Sequence, residues 1–211
     1  MMRAHRPTAK RQTASAPARA FEMVALGASA GGIDVLTGLL AALPKDFIAA
    51  VMIVVHLPPD PPSYLVQSFN HRCALPVIEP DAGEQILAGR VYVAPPGYHL
   101  LVESDRTVAL STEAAVRFSR PSIDVMFESA AWTYRERLLA ILLSGANEDG
   151  VRGLEAVRAM GGLTWAQEPE TASSPEMPRA AIERGVVDAV LTPSSIAESL
   201  IGLPAFIDQQ A

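Results

Sequence analysis

The chain has 211 residues, 49% of them hydrophobic and 19% charged, enough apolar material for one sizeable core and too much for a disordered chain. A net charge of -6 and a pI of about 5.2 argue against broad nucleic-acid binding. A single cysteine excludes a disulfide framework and any cysteine-based zinc site, and it suits a reducing compartment.

Charge is unevenly placed. Residues 1–20 hold Arg3, Arg6, Lys10, Arg11 and Arg19 and no acidic residue, so the remainder is more acidic than the whole. This stretch is poor in large apolar residues and reads as a disordered basic tail. It lacks the apolar run of a signal peptide, and no stretch of the chain reaches the roughly 18 apolar residues of a membrane span. The expectation is a cytoplasmic protein without membrane insertion: a tail over 1–20, one folded domain over 21–203 and a short tail over 204–211.

From Phe21 onward short apolar runs alternate with amphipathic segments. MVALGA (23–28) is a buried strand, and residues 31–43 form a helix with Ile33, Leu36, Leu39, Leu40 and Leu43 at helical spacing. IAAVMIVV (48–55) has the unbroken apolarity of a strand covered on both faces. A helix over 62–72 and a short strand over 76–80 come next. Residues 90–103 read as two β-rich runs joined in a hairpin at Pro95-Pro96-Gly97, with 107–111 as a further strand. The alternation resumes with a helix over 121–135, a strand over 137–144, a helix over 150–162 and a strand over 163–167. A Pro/Ser loop (168–178), a helix (178–185), a strand (188–192) and a last helix (193–202) complete the chain. Such alternation predicts an α/β fold: a doubly wound, mostly parallel sheet with helices on both faces and an antiparallel hairpin annex.

In open α/β sheets ligands bind beyond the carboxyl ends of the strands. Three such ends carry chemistry: Gly27-Ala28-Ser29-Ala30-Gly31 after the first strand, His56 after the second, and Ser144 to Gly150 after the 137–144 strand. Residues 27–31 match G-x-S-x-G, the turn that exposes a nucleophilic serine at a helix start, where free N–H groups favour a developing oxyanion. The competing reading is a glycine-rich phosphate cradle, but neither a Walker loop nor G-x-G-x-x-G is present.

Of the four histidines, His5 lies in the tail, His71 late in a polar helix and His99 at what reads as a partly exposed strand position. Only His56 ends a buried strand on the ligand edge. Among the acids, Asp124 reads as a capping acid in the first turn of its own helix. Asp149 and Glu148 are adjacent, and Asp149 precedes Gly150, where the backbone is specialised. The order Ser…His…Asp differs from those of α/β-hydrolases, chymotrypsin and subtilisin, so the same chemistry needs a further arrangement.

These residues resemble the catalytic domain of chemotaxis protein-glutamate methylesterases. The landmarks are GASAGG (27–32), HLPP (56–59), AGEQILAGRVYVAPPGYHL (82–100), RPSIDVMF (120–127), SGANEDG (144–150) and MPRAAI (177–182). The resemblance implies Ser29 as nucleophile, His56 as base and Asp149 as the orienting acid, with backbone N–H groups of Ala30 and Ala146 holding the oxyanion. It implies hydrolysis of glutamate methyl esters on the cytoplasmic helices of chemoreceptors, and deamidation of receptor glutamines, without metal or organic cofactor. Arg120 and Arg179 fall at positions that would meet an acidic receptor helix, with loop ion pairing as their other reading.

Two departures stand out. Ala146 replaces a methionine of the family pattern G-M-G-x-D-G. Familiar members also carry an N-terminal receiver domain, and the residues before the first strand are too few for one, so activity is expected without a phosphodonor. The alternative is a non-catalytic receptor-binding module of the same fold; a general small-ester hydrolase is a third reading.

Overall fold

The structure, a computed structural model, describes residues 21–56 and 64–203. The expected tails over 1–20 and 204–211 lie outside the described residues, as do Leu57, Pro58 and Pro59 of the HLPP stretch.

Chain order is β1 (Met23–Ala28), α1 (Gly32–Ala42), β2 (Ala50–Val55), α2 (Leu65–Asn70), β3 (Val77–Ile78), β4 (Val91–Val93), β5 (His99–Val102), β6 (Val108–Ser111), α3 (Ile123–Tyr134), β7 (Leu138–Leu142), α4 (Val151–Ala159), β8 (Leu163–Gln167), α5 (Glu176–Glu183), β9 (Ala189–Leu191) and α6 (Pro193–Ile201). Seven strands form one sheet in the order β3-β4-β2-β1-β7-β8-β9, and every neighbouring pair is parallel.

Two separate cores explain the unbroken apolar runs. Met23 and Ala25 of β1 face the layer of α3, α4 and α5, while Val24, Leu26 and Ala28 face α1, α2 and α6. β2 and β7 divide their residues in the same alternating way. Burying each such large side chain contributes about 1.5–3 kcal/mol, so a polar residue inside these strands would be costly. The chemistry is accordingly confined to the strand ends.

Helix starts obey local chemistry. Ser122 caps α3 by accepting from Val125 N–H, and Thr192 caps α6 by accepting from Ser195 N–H, with Pro193 at the first helical position. α5 begins at Glu176, two residues before the expected start. Pro178 is tolerated inside it because the first-turn N–H groups need no helical partner.

The antiparallel annex is present but differently paired. β4 runs parallel beside β2 and β3 in the main sheet, and the hairpin forms between β5 and β6 instead. Consecutive prolines offer no N–H to a cross-strand ladder, so Pro95-Pro96-Gly97 carries the chain off the sheet rather than folding it back. The reversal comes at residues 103–107, where Asp105 accepts from Thr107 N–H and Arg106 has φ 65.

Candidate active site

Parallel register builds the site. Ala28 is opposite Val55, and Gly27 is opposite Leu142, so the residues just beyond β1, β2 and β7 emerge side by side at one sheet edge. β1 has β2 on one side and β7 on the other, which is where the doubly wound topology opens its crevice. The peptide joining Ala28 to Ser29 is held from both sides: Ala28 O accepts from His56 N–H at 3.1 Å, and Ser29 N–H donates to Ser144 O at 2.9 Å. Gly31 turns the chain into α1 with φ 73, a conformation that glycine adopts without a Cβ penalty.

His56 donates through Nε2 to Asp149 Oδ2 at 2.8 Å. With Asp149 ionised, that bond places the proton on Nε2 and leaves Nδ1 as the basic nitrogen. Nδ1 is buried and has no hydrogen-bond partner among the described residues. The β1–β2 register ends with Ala28 opposite Val55, so Ser29 and His56 are the residues that follow that pair on the two adjacent strands.

Asp149, two residues before α4, is fully buried against the start of α3. It accepts from Ser122 Oγ at 2.8 Å, Ile123 N–H at 2.6 Å and Asp124 N–H at 3.0 Å, besides His56. Burial alone would raise its carboxyl. The bonds from His56, from the Asp124 and Ile123 N–H groups and from Ser122 outweigh that and hold it below the ordinary aspartate value. Glu148 points away instead: its side chain is 64% exposed and pairs with Arg117.

His99 is buried, not partly exposed. Its Nδ1 accepts from Ser122 N–H at 3.1 Å, and its Nε2 bonds Ala114 O at 3.1 Å, which fixes a neutral ring behind the residue that holds Asp149. Asp124 does not cap its own helix. Its Oδ1 accepts from Gly150 and Gly153 N–H at the start of α4. Burial pushes its carboxyl up, against the pull of those N–H groups, and the neighbouring Asp149 charge pushes the same way. Neither role was legible from spacing, because both cross between elements far apart in sequence.

Ala30 and Ala146 are both exposed, and neither backbone N–H is bonded to an acceptor among the described residues. Asn147 Oδ1 accepts from Asp149 N–H at 3.0 Å and shapes the loop between them, a role sequence reasoning missed. Gly145 packs directly against the serine: a Cβ there would lie 2.9 Å from Ser29 Cβ and 2.5 Å from Met177 Cε.

A groove of about 450 Å³ is lined by Val55, the residue before His56, and by Ala94, Pro96, Phe118, Arg120 and Pro121. Arg120 donates to Thr112 O at 2.7 Å and Glu113 O at 3.0 Å. Arg179 stands exposed on α5, two residues beyond Met177. Among the described residues no cluster of three or more metal-ligating side chains occurs, and no helix is long and apolar enough to cross a membrane.

A doubly wound sheet that gathers these groups at its carboxyl edge falls in the class of α/β hydrolytic domains. The chain belongs to one family within that class, since the CheB methylesterase family model matches residues 24–200. A putative protein-glutamate methylesterase/protein-glutamine glutaminase of Leptospira interrogans serogroup Icterohaemorrhagiae serovar copenhageni (strain Fiocruz L1-130) is 42% identical over 183 residues, covering 87% of this chain and 95% of that protein. A protein-glutamate methylesterase/protein-glutamine glutaminase of Symbiobacterium thermophilum is 37% identical over 191 residues, 90% of this chain but 53% of that longer protein. The crystal structure of the Thermotoga maritima CheB methylesterase catalytic domain superposes with a TM-score of 0.82 at 31% identity, covering 88% of this chain and all of that one.

Proposed function

We propose that this protein is a serine methylesterase that removes methyl esters from glutamate side chains of chemoreceptors, with deamidation of receptor glutamines as a second activity of the same site. The observation that carries this reading is the His56–Asp149 bond through Nε2, which leaves Nδ1 as a base beside Ser29. Names of relatives as methylesterase/glutaminase support the choice of substrate.

In the proposed reaction Ser29 Oγ attacks the ester carbonyl while its proton passes to His56 Nδ1. The oxyanion is received by the N–H groups of Ala30 and Ala146, neither of which is bonded to an acceptor among the described residues. His56 returns the proton to the departing methoxide, releasing methanol and leaving an acyl-serine. Water then attacks the acyl carbonyl, giving its proton to His56, and the glutamate is freed as Ser29 is restored. Asp149 keeps the proton on Nε2 throughout and stabilises the imidazolium. Deamidation takes the same course with ammonia leaving. Ala146 contributes only its backbone N–H, so the alanine in place of methionine retains the donor.

The groove lined by Val55 and Arg120 takes the receptor helix, and Arg179 meets its acidic side chains; Arg120, bonded to two carbonyls, holds the groove wall and offers its remaining N–H groups to the same helix. Action on cytoplasmic receptor helices places the protein in the cytoplasm. Labelling by a fluorophosphonate tests the reading against a binding-only module. Wild type is expected to be labelled on Ser29, and Ser29→Ala to be unlabelled. A folded wild-type protein that resists the probe would contradict it.

A further inference from the structure

We infer that Ser144 is a positioning residue whose hydroxyl sets the geometry of the oxyanion donors, an inference that rests on the Ser29 reading above. Ser144 is fully buried, yet every one of its polar atoms is engaged. Its N–H donates to Gln167 Oε1 at 3.0 Å, and its carbonyl accepts from Ser29 N–H at 2.9 Å. Its hydroxyl donates to Ala30 O at 2.8 Å and accepts from Ser174 N–H at 3.0 Å.

Three consecutive peptide groups make the serine turn, and Ser144 holds the two outer ones. Its carbonyl fixes the Ala28–Ser29 peptide, and its hydroxyl fixes the Ala30–Gly31 peptide. The middle peptide is pinned through Ser29 O, which accepts from Gly32 N–H at 3.0 Å. Its other end is the Ala30 N–H, left unbonded among the described residues and aimed by its neighbours. The second donor, Ala146 N–H, lies two residues along the chain from Ser144 itself. Between them Gly145 is locked by Gly145 N–H to Ser174 O and Met177 N–H to Gly145 O, each 2.9 Å.

The two donors therefore come from beyond the ends of different strands, β1 and β7, and Ser144 links them, its side chain bonding Ala30 O directly and, through Ser174, bracing the Gly145 N–H next to Ala146. Gln167, also fully buried, fixes that side chain's own backbone and is itself tied to Thr171 O at 3.0 Å. Oxyanion stabilisation depends on donors being in place before charge develops. Misplacing such groups by about 1 Å costs on the order of 100-fold, and the substrate's ground-state binding need not change.

The test uses the full chain with Ser144→Ala and the near-isosteric Ser144→Cys, whose thiol is a weaker donor. Both are assayed on methylated receptor and by the rate of fluorophosphonate labelling of Ser29. For Ser144→Ala the expected result is a kcat about 10- to 100-fold lower with KM within about twofold, and labelling slowed in parallel. Ser144→Cys is expected to fall between this and wild type, by about threefold or more, and serves alone if Ser144→Ala does not fold. A wild-type kcat in either folded variant, or a loss confined to KM or thermal stability, overturns the inference. Ser29→Ala separates the two layers. Activity retained in Ser29→Ala removes the underlying reading, whereas activity lost there but kept in Ser144→Ala overturns the role of Ser144 alone.

Discussion

Asp149 and Asp124 are exchanged between two helices. Asp149, which precedes α4, receives the N–H groups of Ile123 and Asp124 at the start of α3, while Asp124, in the first turn of α3, receives those of Gly150 and Gly153 at the start of α4. Each carboxylate sits against the positive end of the other's helix. The exchange locks α3 to α4 and delivers one fully buried carboxylate to His56.

This geometry separates Asp149 from its neighbour Glu148. Asp149→Asn places an amide where His56 Nε2–H needs an acceptor and favours the wrong imidazole tautomer, for which a loss of order 10⁴ in turnover is expected. Glu148→Gln removes only a largely exposed pair with Arg117 and should leave turnover within about twofold of wild type. Steady-state methanol release checks both, and the reverse order would transfer the role to Glu148.

The two acids should also give opposite pH signatures. The Asp149 carboxyl is held below its ordinary value of 3.8, so its stabilising contribution is full above that value and lost as pH falls through the lower folded one. The Asp124 carboxyl is raised above 3.8, so its contribution is full below that value and lost as pH rises through the raised one. Asp124→Asn keeps Oδ1 as an acceptor and removes the buried charge. In urea unfolding between about pH 3 and pH 7, Asp124→Asn should gain on wild type as pH rises, and Asp149→Asn should lose. Parallel pH curves for the two variants would refute the assignment.

A strained turn stands at the groove. Arg117 and Phe118, with φ 47 and 65, occupy the two central positions between Val116 and Ser119, and Phe118 is fully exposed. A left-handed conformation costs a non-glycine residue roughly 1–2 kcal/mol, and glycine returns about 0.5–1 kcal/mol of that as chain entropy. Phe118→Gly should therefore stabilise the fold by about 0.5–1 kcal/mol, measurable as a higher urea midpoint. A lower midpoint would show that the ring packs on the fold after all.

The strand pattern was readable because the sheet is covered on both faces: Val24, Leu26 and Ile141 sit in runs without polar interruption, and the polar residues beyond each run stand at the sheet edge. Ser29, His56 and Asp149 could be singled out for that reason. Pairing partners were less legible. The run at 91–93 joins β2 across the sheet, and no local pattern around Pro95-Pro96-Gly97 encodes that choice. Burial of His99 and the crossing of Asp124 to α4 depend on contacts to residues 23 and 26 to 29 positions away. Periodicity reports the face of an element, not the partner that another element brings to it.

Close packing makes Gly145 a sensitive site. Alanine there would press on Ser29 Cβ, which cannot retreat without moving β1's end, whereas the Met177 side chain can shift. Gly145→Ala is expected to lower kcat by about 100-fold while the protein remains folded. Near-normal turnover in that variant would show that the serine turn is not held as tightly as these contacts require.

The role of Ser29 is tested most directly by methanol release from a methylated chemoreceptor, measured for the wild-type chain and for Ser29→Ala, with circular dichroism establishing that both are folded. Steady release by wild type is expected, with none above the uncatalysed rate from Ser29→Ala. Release at the wild-type rate from Ser29→Ala would contradict the assignment of Ser29 as nucleophile.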